Sequence, residues 1–185
     1  MEPTQELIDQ VLILRCQIRD PRALAELIDR YQRPLRYFIA RMVRDDHLVD
    51  ELCQETWLAV LNKIHTLKNA ATFPVWLYRI ARNRVYLEYR RKRQVFELDD
   101  TIEVPDCEEE EIDAGDDAAK LHRCLERLKP LHREVLLLKF LEGMSYEQIA
   151  DVLECNLGTV RSRIFHAKLA LRKEMESPYD RREES

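Results

Sequence analysis

The stretch GMSYEQIADVLECNLGTVRSRIFHAKLALRK, residues 143–173, predicts two short helices joined by a tight turn. Ser145 is followed three residues later by Gln148, which is the spacing of a capping box at a helix start. Asn156 or Thr159 can start the second helix, because both side chains cap helix N-termini well. Two short helices in this arrangement are typical of a helix-turn-helix.

The second helix of this stretch has an apolar stripe that faces a core, formed by Val160, Ile164, Ala167 and Leu171. The opposite face combines cations, a hydroxyl and an aromatic ring. Its residues are Gly158, Arg161, Ser162, Phe165, His166 and Leu169, with Lys173 one turn further. Such a face suits the DNA major groove, where the N-terminal residues of a recognition helix meet base edges. The alternative is an ordinary helical hairpin with a solvated basic face.

Composition predicts an all-α chain of two small helical domains joined by an acidic linker, the second ending in the helix-turn-helix. The 185 residues include only 3 Gly, and strand-like alternation is absent. Residues 94–117 contain twelve acids and no base, and with those acids set aside the net charge of −5 becomes +7. We expect domains at 5–93 and 118–176, a flexible linker at 94–117 and a disordered tail at 177–185. Fully extended, the linker reaches about 80 Å, enough for one to two turns of DNA.

The sequence favours a cytoplasmic protein with reduced thiols. Its first thirty residues contain acids and no apolar run of membrane length, so neither a signal peptide nor membrane insertion is expected. The five cysteines are odd in number and include no CxxC pair. Cys107, His122 and Cys124 lack an evident fourth zinc ligand, so we expect no metal and no cofactor.

The first domain is predicted to contain helices at 5–18, 22–43 and 46–65, a loop at 65–72 and a helix from Phe73. Pro34 predicts a kink or a break in the second helix. The first helix is amphipathic through Leu7, Ile8, Val11, Leu12, Leu14 and Ile18. The apolar positions of the third are Leu48, Leu52, Trp57, Leu58, Val60, Leu61 and Ile64.

Two surfaces of this domain have alternative interpretations. On the third helix, Asp50 and Gln54 lie on an outward strip flanked by Glu51 and Glu55, either merely solvated or a docking surface for a basic or amide-rich helix. The helix from Phe73 carries seven cations against one acid up to residue 94, interleaved with Tyr78, Tyr86 and Tyr89. That combination suits phosphate contact and base stacking, although a plain basic surface helix is the alternative.

Three motifs in this order resemble the sigma-70 family of bacterial RNA polymerase sigma factors, in its extracytoplasmic-function (ECF) group. They are Asp46-x-x-x-Asp50-Glu51-x-x-Gln54-Glu55-Thr56-Trp57-Leu58; Phe73-x-x-Trp76-Leu77-Tyr78-Arg79-Ile80-Ala81-Arg82-Asn83 with the Arg90–Arg93 run; and Arg133-Glu134-Val135-Leu136 with Glu142–Ala150 and Gly158–Arg163. The match covers about residues 20–172 apart from the linker.

The resemblance implies site residues. A first domain of this family binds core polymerase and opens the minus-ten element, and the second reads the minus-thirty-five element. The resemblance implies that Asp50, Glu51, Gln54 and Glu55 bind core polymerase. A pocket for a flipped base would use Lys63, Lys68, Asn69 and Thr72, while Arg79, Arg82, Asn83 and Arg84 would track phosphates. The minus-thirty-five set is Thr159, Arg161, Ser162, Arg163, Phe165 and His166.

The resemblance also implies partners. They are promoter DNA, the beta-prime clamp helices and beta flap of core polymerase, and an anti-sigma factor, with a stress or envelope response as the regulon. The linker would thread the RNA exit path, where its acids resemble an RNA backbone. A stand-alone helix-turn-helix regulator, monomeric or dimeric, is the alternative. An enzyme is not expected, because no Ser/His/Asp order, HExxH or phosphate loop is recognisable.

Overall fold

Residues 5–43, 45–96 and 116–176 are described by the computed structural model, and they form helices and short connections without a strand. The chain divides into two compact units, Met1–Val104 and Pro105–Ser185. This confirms the all-α prediction. Most of the predicted linker and all of the tail at 177–185 lie outside the described residues, whereas the linker's two ends, 94–96 and 116–117, are helical.

The described residues of the first unit form four α-helices around one core. Their bounds are α1 Gln5–Gln17, α2 Pro21–Met42, α3 Asp46–Lys63 and α4 Phe73–Phe96. Two single 3₁₀ turns, Ile64–Thr66 and Ala70–Thr72, form most of the connection between α3 and α4. Buried aromatic rings join the helices at the centre, where Phe38 meets Tyr78 edge-to-face with ring centroids 5.2 Å apart.

Helix α2 begins at a cap and continues through its internal proline. Asp20 Oδ1 accepts a hydrogen bond from the backbone N–H of Arg22 at 2.9 Å, and Pro21 is the first helical residue. The helix runs unbroken to Met42, so the break predicted as one outcome at Pro34 does not occur, while the other outcome, a kink, stays a prediction. Leu35 and Phe38, which follow the proline, are fully buried, and their packing compensates for the lost hydrogen bond.

Helix α1 buries a different face from the one that its apolar residues predict. The buried residues are Leu12, Ile13 and Cys16. The residues Leu7, Ile8, Val11, Leu14 and Ile18, expected to mark the amphipathic side, are exposed. A 13-residue helix that is apolar on most of its circumference gives no clear periodic signal, so the sequence could not show which side meets α2.

In the second unit, residues 116–176 form four helices and one π turn. Their bounds are α5 Asp116–Arg127, α6 Pro130–Leu136, the π turn Leu137–Leu141, α7 Tyr146–Leu153 and α8 Leu157–Glu176. The buried side chain of Arg133 closes the C-terminal end of α5. Its Nε donates to the carbonyl of Leu125 at 2.9 Å and its Nη2 to that of Leu128 at 3.0 Å.

The helix-turn-helix has the predicted caps. Ser145 Oγ accepts from the Gln148 backbone N–H at 3.1 Å, while Gln148 Oε1 accepts from the Ser145 N–H at 2.8 Å. Glu154 adopts a left-handed conformation with φ 52° and ends α7. Asn156, rather than Thr159, caps α8, because its Oδ1 accepts from the Thr159 N–H at 2.8 Å.

Two absences apply to the described residues alone. No helix among them is both long and apolar enough to cross a bilayer. Within the same ranges, no cluster of three or more His, Cys, Asp or Glu side chains is placed to hold a metal ion. The zinc alternative also involves Cys107, which lies outside the described ranges.

Candidate nucleic-acid and partner interfaces

The four polar residues predicted on the α3 strip lie at or near the surface. Asp50, Glu51 and Gln54 are exposed, and Glu55 is half-buried. Two of the carboxylates form ion pairs with neighbouring helices. Arg36 Nε of α2 donates to Asp50 at 3.0 Å, and Arg84 Nη1 of α4 donates to Glu55 at 2.9 Å. Exposed ion pairs contribute little stability, so either can exchange for a partner at small cost.

Two leucines that were predicted as apolar positions of α3 extend this strip at the surface. Leu58 is 58% exposed and Leu61 is 51% exposed. With Gln54 they follow the i, i+4, i+7 spacing of one helix face. Helix α3 instead packs through Val49, Leu52, Cys53, Thr56, Trp57, Ala59 and Val60. We call the exposed face of Asp50, Glu51, Gln54, Glu55, Leu58 and Leu61 the α3 strip. Its first half is polar and its second half apolar.

The connection between α3 and α4 is a compact loop with exposed side chains. Asn69 Oδ1 accepts from the Ala71 N–H at 3.0 Å, and the Thr72 hydroxyl donates to the Asn69 carbonyl at 2.8 Å. These bonds leave the amide nitrogen of Asn69 as a donor toward solvent. Lys63 and Lys68 are also exposed. The predicted pocket residues therefore share one accessible loop.

A residue of α1, which sequence reasoning did not identify, holds this loop. Gln17 Nε2 donates to the carbonyl of Ile64 at 3.1 Å and to that of Leu67 at 2.7 Å. One side-chain amide thereby satisfies two backbone acceptors about fifty positions away in the chain. No local spacing could reveal such a contact.

The predicted phosphate-contact residues of α4 lie on two sides of the helix. The Arg82 guanidinium lies over the Tyr86 ring at 4.5 Å, and the Tyr86 and Tyr89 rings meet edge-to-face at 6.1 Å. The Tyr89 hydroxyl donates to the Met42 carbonyl at the end of α2. Arg84, in contrast, points toward Glu55 of α3. Arg79 is half-buried and Asn83 is exposed.

Helix α8 exposes the face that lies opposite its apolar stripe. Arg161, Ser162, Phe165 and His166 are exposed, and Phe165 is 60% exposed. The Phe165 and His166 rings meet edge-to-face with centroids 5.4 Å apart. The other two predicted residues are less accessible. Arg163 is half-buried, and the Thr159 hydroxyl donates to the cap Asn156 at 3.0 Å.

A second histidine lies near this face. Burial lowers the pKa of His132 on α6, and the charges of Lys129 and His166 lower it further.

Comparison with known proteins identifies the family of the chain. Residues 27–95 match the family model for sigma-70 region 2, and residues 118–171 match that for sigma-70 region 4. The chain is 33% identical to the RNA polymerase sigma-H factor of Pseudomonas aeruginosa, with 94% of this chain and 96% of that protein covered. The chain belongs to the sigma-70 family.

This sigma factor is of the ECF type. It is 32% identical to the ECF RNA polymerase sigma-E factor of Escherichia coli, over 91% of this chain and 94% of the relative. Its fold resembles that of the sigma factor RpoE of Bartonella quintana, solved with the anti-sigma factor NepR, with a TM-score of 0.74, 22% identity and coverage of 83% and 97%. CnrH, solved with the cytosolic domain of CnrY, gives a TM-score of 0.69 at 22% identity, covering 92% and 98%.

The order of the two family regions decides against the alternative function. A stand-alone helix-turn-helix regulator is not favoured, because region 2 precedes region 4 in the same chain. Helix α1 lies outside both matches, since the region 2 match begins at residue 27. The chain is an alternative sigma factor, and its family acts in transcription initiation.

Proposed function

We propose that this sigma factor docks on core RNA polymerase through the α3 strip, captures an unpaired minus-ten base in the Ile64–Thr72 loop and reads the minus-thirty-five element through α8. The observation that carries the proposal is the presence of three chemically distinct exposed surfaces in a chain with both sigma-70 regions. Each surface has the residue types that its task requires.

The composition of the α3 strip supports docking on a helix pair such as the beta-prime clamp helices. Its acids attract a basic partner, and Leu58 and Leu61 add apolar area that is buried only on binding. The ion pairs of Asp50 and Glu55 hold the carboxylates at the surface until a stronger partner replaces Arg36 or Arg84. The resulting interface would combine a polar half with an apolar half.

The loop and α4 together suit a single strand. An extruded base loses stacking and pairing, so its pocket must supply hydrogen bonds and its flanks must bind phosphates. Lys63, Lys68, Asn69 and Thr72 supply donors and acceptors on the exposed loop. Arg79 and Arg82 supply cations nearby on α4. The row formed by Arg82, Tyr86 and Tyr89 supplies aromatic rings on which further bases can stack.

The face of α8 suits duplex DNA. Arg161 and Ser162 lie in the first two turns of the helix, which is the part of a recognition helix that meets base edges. Phe165 offers apolar contact to a thymine methyl group, and His166 offers a hydrogen bond. Arg163 and Thr159 are less accessible, so we assign Thr159 a part in capping and Arg163 a phosphate contact from the side.

Two further partners follow from the family. A related fold was solved with the anti-sigma factor NepR, and we infer that a similar inhibitor covers the polymerase-facing surfaces of this chain. The second unit is inferred to rest on the beta flap. The twelve acids between the two domains would occupy the RNA exit path, and the regulon would be a stress or envelope response.

The test is transcription from sheared genomic DNA by core polymerase with and without the full-length protein, followed by sequencing of RNA 5′ ends. We expect start sites that depend on the protein and share an element pair upstream. The double variant Asp50→Ala/Gln54→Ala should abolish them and co-elution with core polymerase. Gln32→Ala, an exposed change on α2, is the matched control. A complete absence of protein-dependent start sites overturns the proposal.

A further inference from the structure

Gln17 joins α1 to the loop that carries the proposed base pocket. Its side-chain Nε2 donates to carbonyls at the start of the first 3₁₀ turn and directly after it, at 3.1 Å to that of Ile64 and 2.7 Å to that of Leu67. The Ile64 carbonyl also accepts from the Leu67 backbone N–H at 3.1 Å. Gln17 therefore fixes the turn that leads from Lys63 to Lys68.

The position of Gln17 is itself held firmly. Arg15 donates to Asp20 Oδ2 through Nε at 3.0 Å and Nη2 at 2.8 Å, and Asp20 caps α2 with its other oxygen. Arg19 adopts a left-handed conformation, φ 63°, that closes the corner between the helices. Buried Ile13 and Cys16 anchor α1 to the core. A continuous set of contacts thus leads from the start of α2 to the loop.

We infer that Gln17 is a positioning residue for base capture, since its paired hydrogen bonds hold the Ile64–Thr72 loop in the shape that accepts an unpaired base. This inference rests on the proposed function and adds a role for α1, which lies outside the region 2 match. Extruding a base has a cost, so a loop that must also become ordered on binding captures it less well.

Three variants separate hydrogen bonding from helix packing. Gln17→Met keeps the length of the side chain and removes both donors. Gln17→Lys restores N–H donors on a chain of similar reach. Gln10→Met makes the same substitution two turns earlier in α1, and Gln10 makes none of the bonds to the loop described here.

The assay measures binding of the holoenzyme, reconstituted with each full-length variant, to fork-junction DNA. The DNA derives from the strongest start site in the transcript sequencing, with each of the four bases placed in turn at every single-stranded minus-ten position. For Gln17→Met we expect affinity for the preferred base to fall about tenfold and the ratio between best and worst base to approach one. Gln17→Lys should restore the ratio, and Gln10→Met should match the wild type.

The base ratio distinguishes positioning from mere stability. A destabilised protein that is still folded loses affinity for all four bases by one common factor, which leaves the ratio unchanged. An unchanged ratio in Gln17→Met, or a lost ratio in Gln17→Lys, overturns the inference while the proposed function stands. A wild-type holoenzyme without any base preference overturns the base-capture role of the loop and this inference together.

Discussion

Leu58 is the residue at which docking and folding can be separated. Its side chain is mostly in water, so Leu58→Ala should leave the thermal midpoint unchanged. On the polymerase its burial contributes free energy in proportion to the apolar area covered, and its loss should weaken core affinity about tenfold. Binding of labelled core polymerase, followed by fluorescence anisotropy, measures the change.

Leu87→Ala is the matched control for that experiment. Leu87 is similarly exposed but lies on α4 and is not one of the residues that form the α3 strip. Its substitution should leave core affinity within twofold of the wild type. Equal losses in both variants would show that core polymerase does not distinguish the α3 strip from other exposed leucines.

The cysteines differ in reactivity because of their surroundings. Burial raises the pKa of Cys16 and of Cys53 from 9.0 to about 11. A raised pKa lowers the thiolate fraction at a given pH, here about a hundredfold at pH 8. Iodoacetamide should therefore label the half-buried Cys155 well before Cys16 or Cys53 in the native protein.

Peptide mass spectrometry after timed alkylation measures this order. At pH 8, Cys16 and Cys53 should stay largely protected during the time in which Cys155 is labelled. In urea all three rates should converge, since unfolding removes the burial. Early native labelling of Cys53 would contradict the packing of α3 against its neighbours.

At the scale of elements, the start of α8 depends on one side chain. Asn156→Ala removes the acceptor for the Thr159 N–H and should cost about 1 kcal/mol, which lowers the melting temperature of the second unit by about 5 °C. Asn156→Asp keeps the acceptor and places a negative charge at the helix N-terminus, so stability should persist. Calorimetry of the full chain measures both.

The same pair of variants separates stability from DNA reading. The carboxylate of Asn156→Asp lies beside the proposed DNA face, so it should weaken minus-thirty-five binding by the holoenzyme despite normal stability. Asn156→Ala should have lower stability, yet at a temperature well below its melting point it should bind the minus-thirty-five element almost normally. If both variants lost the same amount of stability and the same amount of DNA affinity, Asn156 would not lie at the DNA-facing end of α8.

Elements differed in how far the sequence could predict them. The capping box of Ser145 and Gln148 was predictable because its bonds span three residues. The exposure of Leu58 was not, since residues 57–61 of α3 are all apolar and only the neighbouring helices decide which of them are buried. Gln17 was the hardest case, because its partners are remote in sequence and offer only backbone carbonyls. Contacts between residues that are close in the sequence could thus be predicted. Which of two similarly apolar helix faces is buried could not, because it depends on residues remote in the sequence.

At the scale of the whole molecule, charge is partitioned. The chain has a net charge of −5, yet the sequence outside residues 94–117 carries +7. Unlike charges on one chain compete with DNA for the cationic helices, so the free protein should bind duplex DNA weakly. On the polymerase the acidic stretch would be drawn into the RNA exit path, which would leave the cations to the promoter.

Neutralising the twelve acids of residues 94–117, Glu to Gln and Asp to Asn, tests this competition in the free protein. We expect affinity for non-specific duplex DNA at low salt to rise at least about tenfold, with a steeper dependence on KCl, because more cations become available to phosphates. A shuffled order of the native residues 94–117 is the control, since it preserves charge and should bind as weakly as the wild type. If the neutralised chain binds duplex DNA no better than the wild type, the loss of opposing charge has had no effect. Weak DNA binding in the absence of polymerase must then come from the shapes of the two units.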